Sequence, residues 1–246
     1  VPFRAHSEIL NNMKLFSGVP VEERDRLLSK GLIRHLHADE HLFRNGDPIE
    51  HFYIVCSGAV RLTRETPDGK NLTTDISGSG KTIGKPDIFE RCHKYHRANA
   101  VAVEETTILE FPVKWLTDIV QNPIFALNIL SAISEYAHVV ELEAEQRTTM
   151  TAAQRLGCFL QRLCVIHGFD PAGFELPYSK ALIASRLGMK PETFSRTLAT
   201  LNENGISVTD THVVFHDVEA IEHFVCEHCS MVGECETHDI ISKKGH

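Results

Sequence analysis

Lys180-Ala181-Leu182-Ile183-Ala184-Ser185-Arg186-Leu187-Gly188 and, after Met189-Lys190, Pro191-Glu192-Thr193-Phe194-Ser195-Arg196 form the stretch whose reading decides the fold. Its spacing predicts a helix-turn-helix. Ala184 is small enough to let two helices cross closely, Gly188 permits the tight turn between them, and Phe194 anchors the second helix from beneath. Pro191 suits the first turn of that helix, where its missing N–H costs nothing. Glu192, Ser195 and Arg196 are spaced i, i+3, i+4 and project from one face. Arginine can fork onto guanine O6 and N7, glutamate can accept from the cytosine amino group, and serine can serve a base or a phosphate. Thr193, Lys180 and Lys190 stand beside them as further DNA contacts. The plainer reading, two ordinary surface helices, leaves this combination of turn, anchor and polar face unexplained.

Working outward, the chain has 246 residues, enough for two domains of ordinary size. Apolar residues make up 42% and charged residues 24%, the balance of a packed protein rather than a disordered one. No uninterrupted apolar run approaches the roughly 18–20 residues of a membrane span, and Val1–Asn12 has no signal-peptide texture, so a cytoplasmic protein without a membrane partner is expected. The net charge is −8, unusual for a nucleic-acid binder. It is uneven: Thr151–Asp210 holds six basic and five acidic residues, so that segment is near neutral while the rest is acidic. DNA affinity would come from a local patch, doubled by dimerisation. No Gly-rich phosphate loop, nucleophile elbow or paired-carboxylate motif is present, which argues against an enzyme.

The first 115 residues read as a sensor unit with a helical lead-in that includes Leu10. From Leu32 to Phe111 short alternating runs are separated by turn glycines. Phe52-Tyr53-Ile54-Val55 and Thr107-Ile108-Leu109-Glu110-Phe111 are examples, and Pro67-Asp68-Gly69-Lys70 is a hairpin turn. Many short strands predict an α+β protein that opens with a small antiparallel barrel or cupin-like β-roll. Residues 116–148 read as a dimerisation helix, in which Leu130, Ile133, Ala137, Val140 and Ala144 alternate in steps of three and four to form a seam between two copies. Residues 149–225 read as a winged helix-turn-helix. In it Ile206-Ser207-Val208 and His212-Val213-Val214-Phe215 form the wing, and a last helix runs from Asp217 to about Cys229. Residues 226–246 form a cysteine-containing tail.

These pieces together resemble the CRP/FNR superfamily of transcription regulators over roughly Leu10–Phe224. The most specific parts are Phe43-Arg44-Asn45-Gly46-Asp47, Phe52-Tyr53-Ile54-Val55-Cys56-Ser57-Gly58 and Glu192-Thr193-Phe194-Ser195-Arg196. The Glu-x-x-Ser-Arg spacing is similar to the FNR and dissimilatory-nitrate-respiration (DNR) branches. It implies a homodimer on double-stranded DNA, inverted repeats with TTGAT-like half-sites, and contact with RNA polymerase. Members that bind cyclic nucleotides carry a Gly-Glu pair followed by Arg-Ser or Arg-Thr. Here Gly84-Lys85-Pro86 and His96-Arg97-Ala98 stand instead, so Lys85 replaces the ribose-binding acid and Ala98 the hydroxyl. Cyclic AMP is therefore not expected, because a site missing its polar partners loses its ligand's hydrogen bonds. FNR-type sensors hold a cluster partly through N-terminal cysteines, and here none precedes Cys56.

Three of the seven cysteines cluster at Cys226, Cys229 and Cys235. Clustered cysteines in a cytosolic chain argue for metal or redox chemistry. Three soft thiolates suit a [4Fe–4S] cluster sensing oxygen, nitric oxide or redox state, and a few relatives are similar in carrying a C-terminal triad. The fourth ligand is open between His238, a carboxylate, another cysteine and a small molecule. A structural zinc ion on Cys226, Cys229, Cys235 and His238, redox-active thiols, and unliganded cysteines stand beside the cluster as alternatives. So does a haem- or small-molecule-responsive regulator, with Cys92-His93-Lys94-Tyr95-His96 as donors for haem. Nearby Glu227, Glu234, Glu236 and Asp239 weigh toward a cationic metal rather than a cluster.

Overall fold

The computed structural model describes residues 13–83, 94–115, 120–166, 168, 170, 172–227, 229, 235, 237 and 239–240. Leu10, Gly84, Lys85, Pro86, Cys92, His93, Glu234, Glu236 and His238, used in the reading above, lie outside them. The chain divides into two compact units, Val1–Ala137 and His138–His246.

In the first unit a single 3-10 turn, Lys14–Phe16, and helix α1 (Val21–Leu28) precede eight strands. These are β1 (Leu32–Leu36), β2 (His41–Phe43), β3 (His51–Ser57), β4 (Ala59–Glu65), β5 (Asn71–Gly78), β6 (Thr82–Ile83), β7 (Asn99–Ala102) and β8 (Thr106–Pro112). They pair antiparallel into two four-stranded sheets, β1-β8-β3-β6 and β2-β7-β4-β5. The hairpin turn forms as the sequence predicts, with Thr66 N donating to Lys70 O at 2.8 Å and Gly69 at a φ of 77°.

Neither sheet closes on itself, so the expected barrel or cupin-like β-roll is corrected to two open antiparallel sheets. Strand β3 supplies the physical reason. Phe52 through Cys56 are all buried, on both faces of the strand. Tyr53 and Val55 pack with Phe43, Val60, Ala100 and Ile108, which come from both sheets. Phe52, Ile54 and Cys56 pack with Phe111, Trp115, Phe125 and Ile129. A closed barrel buries only its inner face, whereas this sheet needs another sheet on one side and helical cover on the other.

Helix α2 (Pro123–Thr149) starts on a cap that the sequence encodes. Asn122 Oδ1 accepts from Ile124 N at 2.9 Å and Phe125 N at 3.1 Å, and Pro123 occupies the first helical position. Its early residues Phe125 and Ile129 enter the first unit's core, whereas every residue from Ser134 to Glu141 is exposed. By length and composition alone α2 could cross a membrane, with a mean hydropathy of 1.3 over its most apolar window. Glu135, Glu141, Glu143, Glu145 and Arg147 lie along it.

The second unit contains α3 (Ala152–Ile166), β9 (Phe174–Glu175), α4 (Lys180–Arg186), α5 (Pro191–Glu203), β10 (Ile206–Thr209), β11 (His212–Phe215) and α6 (Val218–Cys226). The expected wing is the β10–β11 hairpin, and β9 joins it as a third strand. The turn of the wing places Asp210 at a φ of 50°, a left-handed conformation that aspartate tolerates better than most side chains. Helix α6 begins where Asp217 Oδ1 accepts from Ala220 N at 2.9 Å and ends at Cys226, three residues short of the expected terminus.

Candidate functional site

Helix α4 is capped by Ser179, whose Oγ accepts from Leu182 N at 3.3 Å. Gly188, at a φ of 66°, turns the chain out of this helix. Gly188 N then donates to Ser185 O at 3.1 Å and Met189 N to Ala184 O at 2.8 Å, satisfying carbonyls at the helix end. Leu182, Ile183 and Ala184 are buried, as the close crossing requires.

Helix α5 starts at Pro191 and sorts its residues cleanly. Phe194, Thr197 and Leu201 face the core, and the Thr197 hydroxyl donates to Thr193 O at 2.8 Å. Glu192, Ser195, Arg196 and Ala199 are exposed, a stripe at i, i+3, i+4 and i+7. Thr193 is half-buried at its edge. Lys190 is exposed immediately before the helix N-terminus, and Lys180 is half-buried at the start of α4. Arg196 Nε donates to Glu192 O at 3.4 Å, so two members of the stripe are adjacent in space as well as in pattern. A helix N-terminus flanked by a lysine favours phosphate, and the stripe beyond it offers donors and acceptors of base-edge type.

The base of the wing is tied by polar contacts. Glu175 accepts from Thr211 Oγ1 at 2.5 Å and lies 3.0 Å from His212 Nδ1. These hydrogen bonds, Thr211's first, hold its carboxyl below the usual carboxylate range.

The seam residues separate into two groups. Ile133 packs against the first unit's own core, whereas Leu130, Ala137, Val140 and Ala144 are exposed. Leu127, which the sequence reading did not include, is 65% exposed and extends the stripe by one step of three. An apolar stripe this open on a single chain is the usual mark of a surface that a partner covers.

Cys226 and Cys229 are brought close by a turn rather than a continuing helix, with Cys229 N donating to Cys226 O at 3.0 Å. Cys226, Cys229, Cys235 and, from α3, Cys158 are all reduced and half-buried. Burial pushes the Cys226 thiol up to about 12, and the thiols of Cys158, Cys229 and Cys235 push it the same way. Cys158 is pushed up by burial and by Cys235 and Cys229, against the pull of Arg162. Among the described residues no three His, Cys, Asp or Glu side chains are already arranged to hold a metal ion. The sequence reading missed Cys158, because only the packing of α3 against α6 brings it to the tail.

Residues 33–122 match the cyclic nucleotide-binding domain family, and residues 154–224 match the Crp-like helix-turn-helix domain family. The chain is 30% identical to the Cyclic AMP receptor protein of Thermus thermophilus over 193 residues, 78% of this chain and 87% of that one. It is 26% identical to the Transcriptional activator protein anr of Pseudomonas aeruginosa, covering 82% of each. Among solved structures it is similar to DNR from Pseudomonas aeruginosa, with a TM-score of 0.50 and 27% identity over 90% of this chain and 98% of that one.

Proposed function

The chain belongs to the CRP/FNR superfamily of transcription regulators, DNA-binding proteins rather than enzymes, and from that premise we propose a homodimer that reads an inverted repeat under the control of a small organic effector. Helix α5 enters the major groove. Arg196 forks onto a guanine, Glu192 accepts from a cytosine amino group, and Ser195 and Thr193 complete the reading edge. Lys180, Lys190 and the N-terminus of α5 hold phosphates and fix the register. Each half-site is TTGAT-like, and the exposed stripe of α2 joins the two copies. A promoter-bound dimer of this kind acts by contacting RNA polymerase.

The observation that carries DNA reading is the sorting of α5 into a buried Phe194-Thr197-Leu201 face and an exposed Glu192-Ser195-Arg196 face. Fluorescence anisotropy with a duplex bearing TTGAT and ATCAA arms tests it. Specific binding is expected about 10³-fold or more tighter than to a scrambled duplex. Equal affinities would remove the base-reading role.

Support for the effector comes from the match of residues 33–122 and from the similarity to a protein named for cyclic AMP. In sequence, Lys85 and Ala98 replace the acid and hydroxyl of the nucleotide-binding pattern that the chain resembles, so the effector has a different polar pattern. Saturating cyclic AMP is expected to leave the melting temperature unchanged. A stabilisation approaching the roughly 2.7 kcal/mol of a hundredfold excess over Kd would return the effector to a cyclic nucleotide.

One observation favours a second reading, in which an iron–sulfur cluster on the tail reports oxygen, nitric oxide or redox state, as the likeness to the FNR and DNR branches suggests. That observation is the convergence of reduced thiols on the unit that carries the reading helix. Iron, sulfide and the absorption spectrum of oxygen-free protein separate the two readings.

A further inference from the structure

Helices α3 and α6 cross where Gly157 faces Val225, so closely that a Cβ on Gly157 would stand 2.6 Å from Val225 Cγ2. Gln154 Nε2 fixes a second point of the crossing by donating to Phe224 O at 3.0 Å. The next residue along from Gly157 is Cys158, and the next from Val225 is Cys226. The turn after α6 brings back Cys229, and Cys235 O accepts from Asp239 N at 2.9 Å where the chain coils again. Cys158 and Cys226 thus lie side by side at the helix crossing, and Cys229 and Cys235 are near enough to raise the thiols of both.

The surroundings of Cys158 fit an anionic centre. A small open cleft beside it is lined by Arg147, Arg155, Arg162 and Arg186, with Glu143 the one acid in the lining. Glu143 is already engaged by Arg186 at 2.5 Å. With Arg186 paired to Glu143, the other three arginines still make this a locally positive setting in a chain of net charge −8. Gln146 Nε2 donates to Cys158 Sγ at 3.4 Å, a contact that supports a sulfur carrying charge.

We infer that Cys158, Cys226, Cys229 and Cys235 form one four-thiolate site for a thiophilic metal centre, a zinc ion or an iron–sulfur cluster, which fastens the C-terminal tail to α3. Four thiolates around Zn²⁺ or a [4Fe–4S]²⁺ core leave a net charge of about −2, which the arginines balance. Metal binding releases the thiol protons and draws the sulfurs inward from their metal-free positions. The site stands apart from the effector reading. For the iron–sulfur reading it names the missing fourth ligand.

The test uses the full chain purified without oxygen, with its metal counted as isolated and after exchange to cobalt(II). Zinc as isolated sinks the iron–sulfur reading and iron with sulfide in equal amounts upholds it, and the Cys158 measurements that follow decide the four-thiolate site in either case. In Cys158→Ser the thiolate-to-cobalt absorption is expected to fall by about a quarter and cobalt affinity by about a hundredfold or more. Cys164→Ser, on the same helix and outside the group, is expected to leave both unchanged. Alkylation mapping of the unsubstituted chain needs no variant to fold: cobalt is expected to protect Cys158 together with the three tail cysteines. A chain that binds neither cobalt nor iron overturns the site. So does Cys158 reacting equally fast with and without metal, or a Cys158→Ser chain with unchanged absorption.

Discussion

A methyl group at Gly157 would meet Val225 Cγ2 at 2.6 Å and Leu201 Cδ2 at 3.4 Å, so this one hydrogen-for-methyl change bears on the packing of three elements. Alanine is a better helix former than glycine by about 1 kcal/mol, but overpacking a filled core costs about 1–3 kcal/mol. Gly157→Ala is therefore expected to lower stability in urea titration, and a raised midpoint would show that α6 has room to retreat. Cys56 makes a pH argument. It is 1% exposed, and burial pushes its thiol from 9.0 up to about 11. A raised acid group contributes fully below its unfolded value and loses that contribution as pH climbs through the folded one. Stability is thus expected to fall between pH 9 and about 11, by about 2–3 kcal/mol at most from this group. Cys56→Ala flattens that alkaline limb relative to its own value at pH 7, and an unaltered slope would assign the loss elsewhere. Arg196→Ala is expected to cost about 1–3 kcal/mol of discrimination at a single base pair while leaving binding to other sequences intact. Competition titrations with single-substituted duplexes check this, and unchanged base preference counts against the assignment.

Elements were legible in the sequence wherever local pattern and final packing agree. Gly188, Pro191 and Phe194 give the helix-turn-helix because turn, first helical turn and core anchor are local demands. The wing strands were legible for the same reason, but β9 was not, since only pairing with His212 and Val213 makes Phe174–Glu175 a strand. The five buried residues of β3 contain both faces of a sheet, and reading them as one-sided strand texture led to a barrel in place of two open sheets. Cys158 was invisible as a site residue because its neighbours arrive through the α3–α6 crossing, not through spacing along the chain. Helix α2 shows the same division. Its three-four repeat was readable, yet Ile133 belongs to the local core, and Leu127 joins Leu130, Ala137, Val140 and Ala144 on the open stripe. Leu130, 62% exposed, stands well out on that stripe, so Leu130→Lys places a charge in the proposed seam at no cost to the fold of one chain. The variant is expected to dissociate at least a hundredfold more readily in sedimentation while its melting temperature at low concentration barely moves. A variant that remains dimeric would move the seam off this stripe.

For the molecule as a whole, charge and symmetry constrain one another. A chain of net charge −8 is repelled by DNA overall, and Thr151–Asp210 offers six basic residues against five acidic ones. One such unit neutralises few phosphates, so tight binding requires two units acting together through the dimer. Two linked units gain affinity only when both half-sites lie on the same face of the duplex, about one helical turn apart. Inserting five base pairs between TTGAT and ATCAA turns the second half-site to the opposite face and shifts it by about 17 Å. Affinity is then expected to fall toward that of a single half-site, and the salt slope should drop by about half as one unit's phosphate contacts are lost. Leu130→Lys should bind the original and the expanded duplex alike, because a monomer does not sense spacing. Equal binding of the unsubstituted protein to both duplexes would mean that the units read DNA independently, and the seam would then have no part in recognition.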